Sequence, residues 1–236
     1  GAALFALPAF MILEQPNLST TLVTTVIIVS VVFCSGVSYK WILGVLAVLF
    51  PLGAVFVYML QYEMIPFLRG YQATRILAWI NPKEYSAAYW QQENSIMAIG
   101  SGQLWGKGLN NTEIASVKNG NFLSEEQTDF IFAIIGEEMG FVGAMIVIAL
   151  FLLLVYECLM MAYRAKDLSG RLICTGMATL LAFQSFANIA VATAIFPNTG
   201  LPLPFVSYGV SSLLSLYIGI GVVLNVGLQR RYSNEW

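Results

Sequence analysis

The chain has 236 residues, of which 58% are hydrophobic and 10% charged, and its net charge is -2. A soluble domain carries about 45–50% apolar and about 25% charged residues. This composition, with a mean hydropathy of +0.75, therefore excludes a disordered chain and argues against an ordinary soluble domain. The absence of His removes His-based acid/base chemistry, His-ligated haem and the usual zinc sites, and the near-neutral charge leaves no footprint for nucleic acid.

Residues 1–13 are apolar but too short to cross a bilayer. No basic stretch precedes them, so they read as the exit end of a clipped span rather than a signal peptide. Beyond them, no charged residue occurs in 15–39, 41–62, 139–156 or 172–229. A bilayer core of about 30 Å takes about 20 helical residues, and Pro197, Gly200, Pro202 and Pro204 divide the last gap in two. The gaps predict spans over 18–38, 41–62, 128–163, 171–196 and 205–229. The expected fold is all-α, a polytopic transmembrane helix bundle of five full spans plus one clipped N-terminal span. It forms a single membrane domain over 1–236. Cys34, Cys158 and Cys174 each lie in an apolar run and read as small buried hydrophobes.

Lys40, Arg164, Lys166, Arg171, Arg230 and Arg231 all fall in one set of short loops, and the opposite set, 14–17 and 197–204, has no Lys or Arg. The positive-inside rule puts the first set and the C-terminus in the cytoplasm, and the long segment 63–127 outside. Within that segment Asn81, Pro82 and Glu84 have the spacing of N-cap, first and third helical positions. Tyr85, Ala88, Tyr89, Gln92, Ile96 and Ile99 follow at helical spacing, and Gly100 and Gly102 end the helix. With Trp79, Trp90 and Trp105 nearby, it reads either as an interfacial helix with rings at headgroup depth or as a helix packed on the spans. The stretch from Gly100 to Gly108 fails the P-loop pattern, because Ser101 replaces the first Gly and Gly108 follows Lys107. It is either an anion-holding turn with Lys107 or a tight turn with a solvated lysine.

Without His or an accessible thiol, carboxylates are the plausible general bases. Ser124 and Gln127 have capping-box spacing and predict a helix start near Ser124. Glu125, Glu126 and Asp129 would then share a face of its first turns, able to bind a divalent cation or present one base. The alternative is a first turn made acidic to suit the helix dipole. Glu137 and Glu138 follow in the same helix, and carboxylates within a span are functional candidates by default. Arg69, Arg75, Lys107 and Lys118 are external cations able to neutralise phosphate.

Four stretches together carry a resemblance: Gln15-Pro16; Ala98 to Gly108; Thr128-Asp-Phe-Ile-Phe132 with Gly136-Glu-Glu138; and Pro202-Leu-Pro-Phe-Val-Ser-Tyr-Gly209. Over nearly its whole length the chain resembles the SEDS proteins (shape, elongation, division and sporulation), the RodA/FtsW/SpoVE group of bacterial membrane proteins. Members have about ten spans, so the chain looks like the C-terminal portion. The resemblance implies a peptidoglycan glycosyltransferase that polymerises lipid II into glycan strands at the outer face of the cytoplasmic membrane, serving elongation, division or sporulation. It implies Asp129 as the catalytic acid–base residue and Arg75, Lys107, Gly102, Gly106, Gln15 and Ser207 as substrate-binding residues. Glu125, Glu126, Glu137 and Glu138 are supporting acids, and Mg2+ or Mn2+ at Asp129 with Glu125 or Glu126 is a further expectation. No organic cofactor is expected. The implied partners are lipid II, the growing glycan, membrane lipid and a class B penicillin-binding protein, a transpeptidase. Taken alone the stretch is expected to be inactive. Asn17, Ala73, Asn94, Ser124 and Val210 depart from the usual family residues. Two alternatives are a flippase for the lipid-linked precursor, for which the charge-free spans offer little polar path, and a non-catalytic scaffold for a transpeptidase.

Overall fold

A helix in hydrocarbon must close its own backbone hydrogen bonds, because no water is there to take them. The computed structural model describes residues 18–38, 40, 44, 47, 51, 53, 55, 58, 59, 71–109 and 127–229, and among these there is no strand. The helices are α1 (Leu18–Cys34), α2 (Tyr71–Ile80), α3 (Ser86–Ser101), α4 (Ile131–Arg164), α5 (Leu168–Ala192) and α6 (Val210–Gln229). The described positions between Lys40 and Met59 are helical too. Three helices, α4, α5 and α6, are long and apolar enough to cross a membrane, and α1 is a shorter apolar helix. Residues 1–13, Gln15, Ser124, Glu125, Glu126, Arg230 and Arg231 lie outside the described residues, as does most of 41–62.

The sequence of α1 is rich in Val, Ile and Thr, poor helix formers in water. Its threonines return their hydroxyls to the helix: Thr24 Oγ1 donates to the Thr20 carbonyl at 2.8 Å and Thr25 Oγ1 to Thr21 at 2.7 Å. The expected span 18–38 ends early because the chain turns at Gly36, whose φ is +94°. At the N-terminus of α5, Asp167 caps the helix through the Gly170 N–H at 3.4 Å, so it starts at Leu168.

Helix α5 is the hub. It packs on α1, α3, α4 and α6. One apolar core joins Cys158 and Ala162 of α4, Cys174, Ala178 and Leu181 of α5, and Leu216 and Val223 of α6. A second joins Ala98 of α3 to Phe130, Ala133 and Ile134 and to Val191 of α5. The helix α3 is thus packed on the spans, and its buried face is polar: Gln92, Asn94, Ser95 and Ala98. Gln92 Nε2 donates to the carbonyls of Val191 at 3.1 Å and Phe196 at 2.7 Å, and Ser95 Oγ donates to Ala192 at 2.7 Å. These side chains donate to the carbonyls of Val191 and Ala192 in the last turn of α5 and of Phe196 in the turn beyond it. The expected start of α3 at Pro82 is displaced to Ser86. The N–H groups of Glu84 and Tyr85 both close on the Asn81 carbonyl in a turn, and Tyr85 keeps a non-helical backbone at φ -112°, ψ 42°.

Helix α4 has 34 residues, about 51 Å at 1.5 Å per residue, and it is broken at Gly140, where φ is +66° and ψ -167°. The turn after α3 fills the break. Lys107 N–H donates to the Glu137 carbonyl at 2.9 Å and Gly108 N–H to Glu138 at 3.0 Å, while Phe141 and Val142 N–H donate to Gln103 at 2.8 Å and Leu104 at 3.1 Å. The contact is backbone to backbone. A Cβ on Gly140 would come within 2.3 Å of the Gly106 nitrogen. Gly140→Ala should therefore cost roughly 2–5 kcal/mol through backbone strain and overpacking. The thermal midpoint in detergent should fall accordingly, and Gly100→Ala, with open space around the added carbon, should leave it unchanged.

Candidate active site

Asp129 stands in the turn 127–130, one residue before the N-cap Phe130 of α4, and not within a helix starting near Ser124 as the capping-box spacing predicts. The reason lies in three successive carbonyls. Gln127 accepts from the Tyr208 N–H at 2.8 Å, Thr128 from Ser207 Oγ at 2.5 Å and Asp129 from Asn188 Nδ2 at 2.8 Å. Each of these carbonyls is engaged by a donor from α5 or from the segment before α6. The shared helical face expected for Glu125, Glu126 and Asp129 accordingly does not apply at Asp129.

The segment between α5 and α6 folds over this turn. Gln184 Nε2 donates to the Pro202 carbonyl at 2.9 Å and Asn188 Nδ2 to Leu201 at 2.7 Å. Leu203 N–H donates to Ser207 Oγ at 2.7 Å. Ser207 is buried, and its hydroxyl joins this segment to Thr128 rather than facing an open cleft. Ser19 of α1 donates its hydroxyl to the Thr199 carbonyl.

From the other side comes α2. Arg75 Nη1 donates to the Asn198 carbonyl at 3.3 Å, and Trp79 Nε1 to Ala194 at 3.0 Å. Asn198 Nδ2 reaches Gln91 Oε1 at 3.2 Å, and its Oδ1 accepts from Gly200 N–H at 3.2 Å. Gly200 adopts φ +70°, and a Cβ built there would lie 3.3 Å from Asp129 Oδ2 and 3.5 Å from Arg75 Nη1. The carboxylate and the guanidinium therefore both close on Gly200, whose positive φ favours a glycine. Both side chains are partly exposed, so an external ligand can reach them.

Lys107 is placed elsewhere. Its ammonium pairs with Glu137 Oε1 at 2.7 Å, and the Glu137 side chain is 1% exposed. Neither a solvated lysine nor a plain phosphate loop describes this. Gly102 and Gly106 serve the same joint: a Cβ would come within 1.9 Å of the Gly136 oxygen and 2.1 Å of the Glu138 oxygen, respectively. Glu138 is half-buried beside them. The structure brings Asp129 and Arg75 together with Gly200 and Asn198, and puts Lys107, Glu137, Gly102 and Gly106 in the α4 joint. Asn188, Gln184, Asn198 and Gly200 were not among the residues singled out for the site. The available signal was a pair of amides, Gln184 and Asn188, one helical turn apart inside an uncharged run.

The sequence profile of the cell cycle protein family FtsW/RodA/SpoVE matches residues 2–232. The chain belongs to this family, the SEDS proteins. It is 36% identical over 235 residues to the peptidoglycan glycosyltransferase MrdB of Escherichia coli, covering 98% of this chain and 60% of that protein. It is 35% identical over 217 residues to a protein named probable peptidoglycan glycosyltransferase FtsW of Trichlorobacter lovleyi, covering 92% of this chain and 54% of the relative. A solved structure of a peptidoglycan synthase complex, described as coordinating polymerization and crosslinking, superposes with a TM-score of 0.73 at 30% identity, over 97% of this chain and 61% of that one. A mutant of the rod shape determining protein RodA from Thermus thermophilus gives 0.59 at 28% identity, over 97% and 57%. The chain thus spans little more than half the length of these relatives. With its apolar helices, the match makes it a multi-pass membrane protein.

Lys107→Ala takes the ammonium from a buried carboxylate and should destabilise the protein by roughly 3–5 kcal/mol. Lys107→Met combined with Glu137→Gln should recover most of that loss. Thermal unfolding in detergent checks both, and a Lys107→Ala protein as stable as the wild type would contradict the pairing.

Proposed function

We propose that this chain carries the catalytic face of a peptidoglycan glycosyltransferase that polymerises lipid II at the outer surface of the cytoplasmic membrane. The observation that carries the reading is the convergence of Asp129 and Arg75 on Gly200. The relatives named as peptidoglycan glycosyltransferases support it.

The chemistry suits this inventory. The acceptor sugar's hydroxyl oxygen bonds to the donor's anomeric carbon, and the bond from that carbon to the lipid diphosphate breaks. The diphosphate leaves with the electron pair. Asp129 accepts the hydroxyl proton as the new bond forms. Arg75 closes on the same glycine and offsets negative charge on the departing group. A diphosphate is a good leaving group, so one carboxylate suffices, unlike the paired carboxylates of glycoside hydrolysis. Among the described residues no three ligating side chains gather into a metal site. A divalent cation at Asp129 would have to draw on Glu125 or Glu126, outside the described residues.

Orientation follows from charge. Arg164 ends α4, Lys166 lies between α4 and α5 and Arg171 sits in the first turn of α5, all at the opposite end of both helices from the Asp129 turn. The positive-inside rule then puts Asp129, Arg75 and the segment 63–127 outside and the C-terminus in the cytoplasm. Product and substrate are both lipid-linked, which requires a site at that surface. A class B penicillin-binding protein that crosslinks the emerging glycan is the fitting partner, as the synthase-complex structure suggests.

The test is polymerisation of lipid II by the full-length protein with its transpeptidase partner. Asp129→Asn should lower turnover by about 100- to 10,000-fold, to background, with unchanged folded yield. Gly200→Ala, which crowds both side chains and strains φ, should also lose most activity. Normal glycan synthesis by Asp129→Asn would refute the assignment.

A further inference from the structure

We propose that Asn188 is the positioning residue that sets the spacing between Asp129 and Arg75, an inference that rests on the glycosyl-transfer reading above. Asn188 is on α5 and 0% exposed. Its Nδ2 group carries two protons, and both are used: one on the Asp129 carbonyl at 2.8 Å, the other on the Leu201 carbonyl at 2.7 Å. A single amide thus ties the acid-bearing turn to the segment that accepts the Arg75 guanidinium through Asn198. The Asp129 backbone, Gly200 and the Arg75 anchor are then fixed relative to one fully buried point on α5.

Asn188 Oδ1 is buried and has no hydrogen-bond partner among the described residues. An unmet buried acceptor is costly, and a leucine of nearly the same shape would remove it only by taking a donor from the carbonyls of both Asp129 and Leu201. What leucine cannot do is hold two carbonyls of different segments together. Asn188 touches no reacting atom, and it acts through the placement of Asp129.

The test uses steady-state lipid II polymerisation by the full-length protein with its partner, over a range of pH. Asn188→Leu keeps the volume and removes both donors. It should lower kcat about a hundredfold, the scale expected for a small misplacement of a catalytic group, with KM for lipid II near the wild-type value. Asn188→Asp can donate one bond only while protonated. Its activity relative to wild type should exceed that of Asn188→Leu at low pH and decline as pH rises. Ser185→Ala, on the same helix with a buried hydroxyl that has no partner among the described residues, should behave as wild type. Wild-type kcat in Asn188→Leu, or an Asn188→Asp pH profile parallel to wild type, would overturn the proposal. Those outcomes leave the glycosyltransferase reading intact as long as wild type polymerises and Asp129→Asn does not. Should Asn188→Leu fail to fold, the Asn188→Asp profile decides.

Discussion

Three consecutive carbonyls, those of Gln127, Thr128 and Asp129, take their hydrogen bonds from a distant part of the chain, and this holds the acid outside its helix. In a poorly hydrated setting every such group needs a partner. Had α4 begun four residues earlier, the three carbonyls would have bonded within the helix, and nothing would bind the turn to α5. The side chain of Asp129 would then follow the helix face. Because Tyr208, Ser207 and Asn188 supply the donors instead, Asp129 is set by tertiary structure, opposite Arg75 and over Gly200.

A second exchange of the same kind occurs further along α4. At Gly140 the helix opens, and the turn 102–108 supplies two donors and two acceptors to the exposed ladder. The Lys107–Glu137 pair sits in that joint. Burying an ion pair gives little net stability, but separating it is costly, so the pair fixes the register of the turn on the helix. Two acid–cation arrangements therefore have different work. Lys107 and Glu137 hold the turn 102–108 in place, while Asp129 and Arg75 remain partly exposed.

The helices were legible because charge-free runs and prolines mark them directly: α4, α5 and α6 fall within a few residues of the spans expected at 128–163, 171–196 and 205–229. The boundaries that moved did so for tertiary reasons. The stretch 205–209 reads as the start of a span, yet Ser207 and Tyr208 are committed to the 127–129 turn, so α6 begins at Val210. The glycine-rich stretch invited a phosphate-loop reading because close backbone approach and phosphate cradling ask for the same residue. Only the partner tells them apart, and here the partner is the opened backbone of α4. Asn188 was hidden for the opposite reason. Its spacing from Gln184 marks a polar face within an apolar run but not what that face meets, and its meaning lies in two carbonyls 59 and 13 residues away.

The distribution of charge across the bundle bears on whether such a protein performs chemistry at one surface or moves a substrate across the bilayer. A transport route needs polar lining through the full depth. Among the described residues Asp129, Arg75, Lys107 and Glu137 gather toward one end of α4 and α5. The core that joins α4, α5 and α6 beyond them is built from Cys158, Ala162, Cys174, Ala178, Leu181, Leu216 and Val223. A groove between α1, α5 and α6 is lined by Ile27, Val31, Leu172, Met177, Leu180 and Val222, and it is equally apolar. Any charged solute passing these surfaces would give up its hydration with nothing in return. The polar contacts are gathered instead at the end of the bundle where Asp129 and Arg75 meet over Gly200.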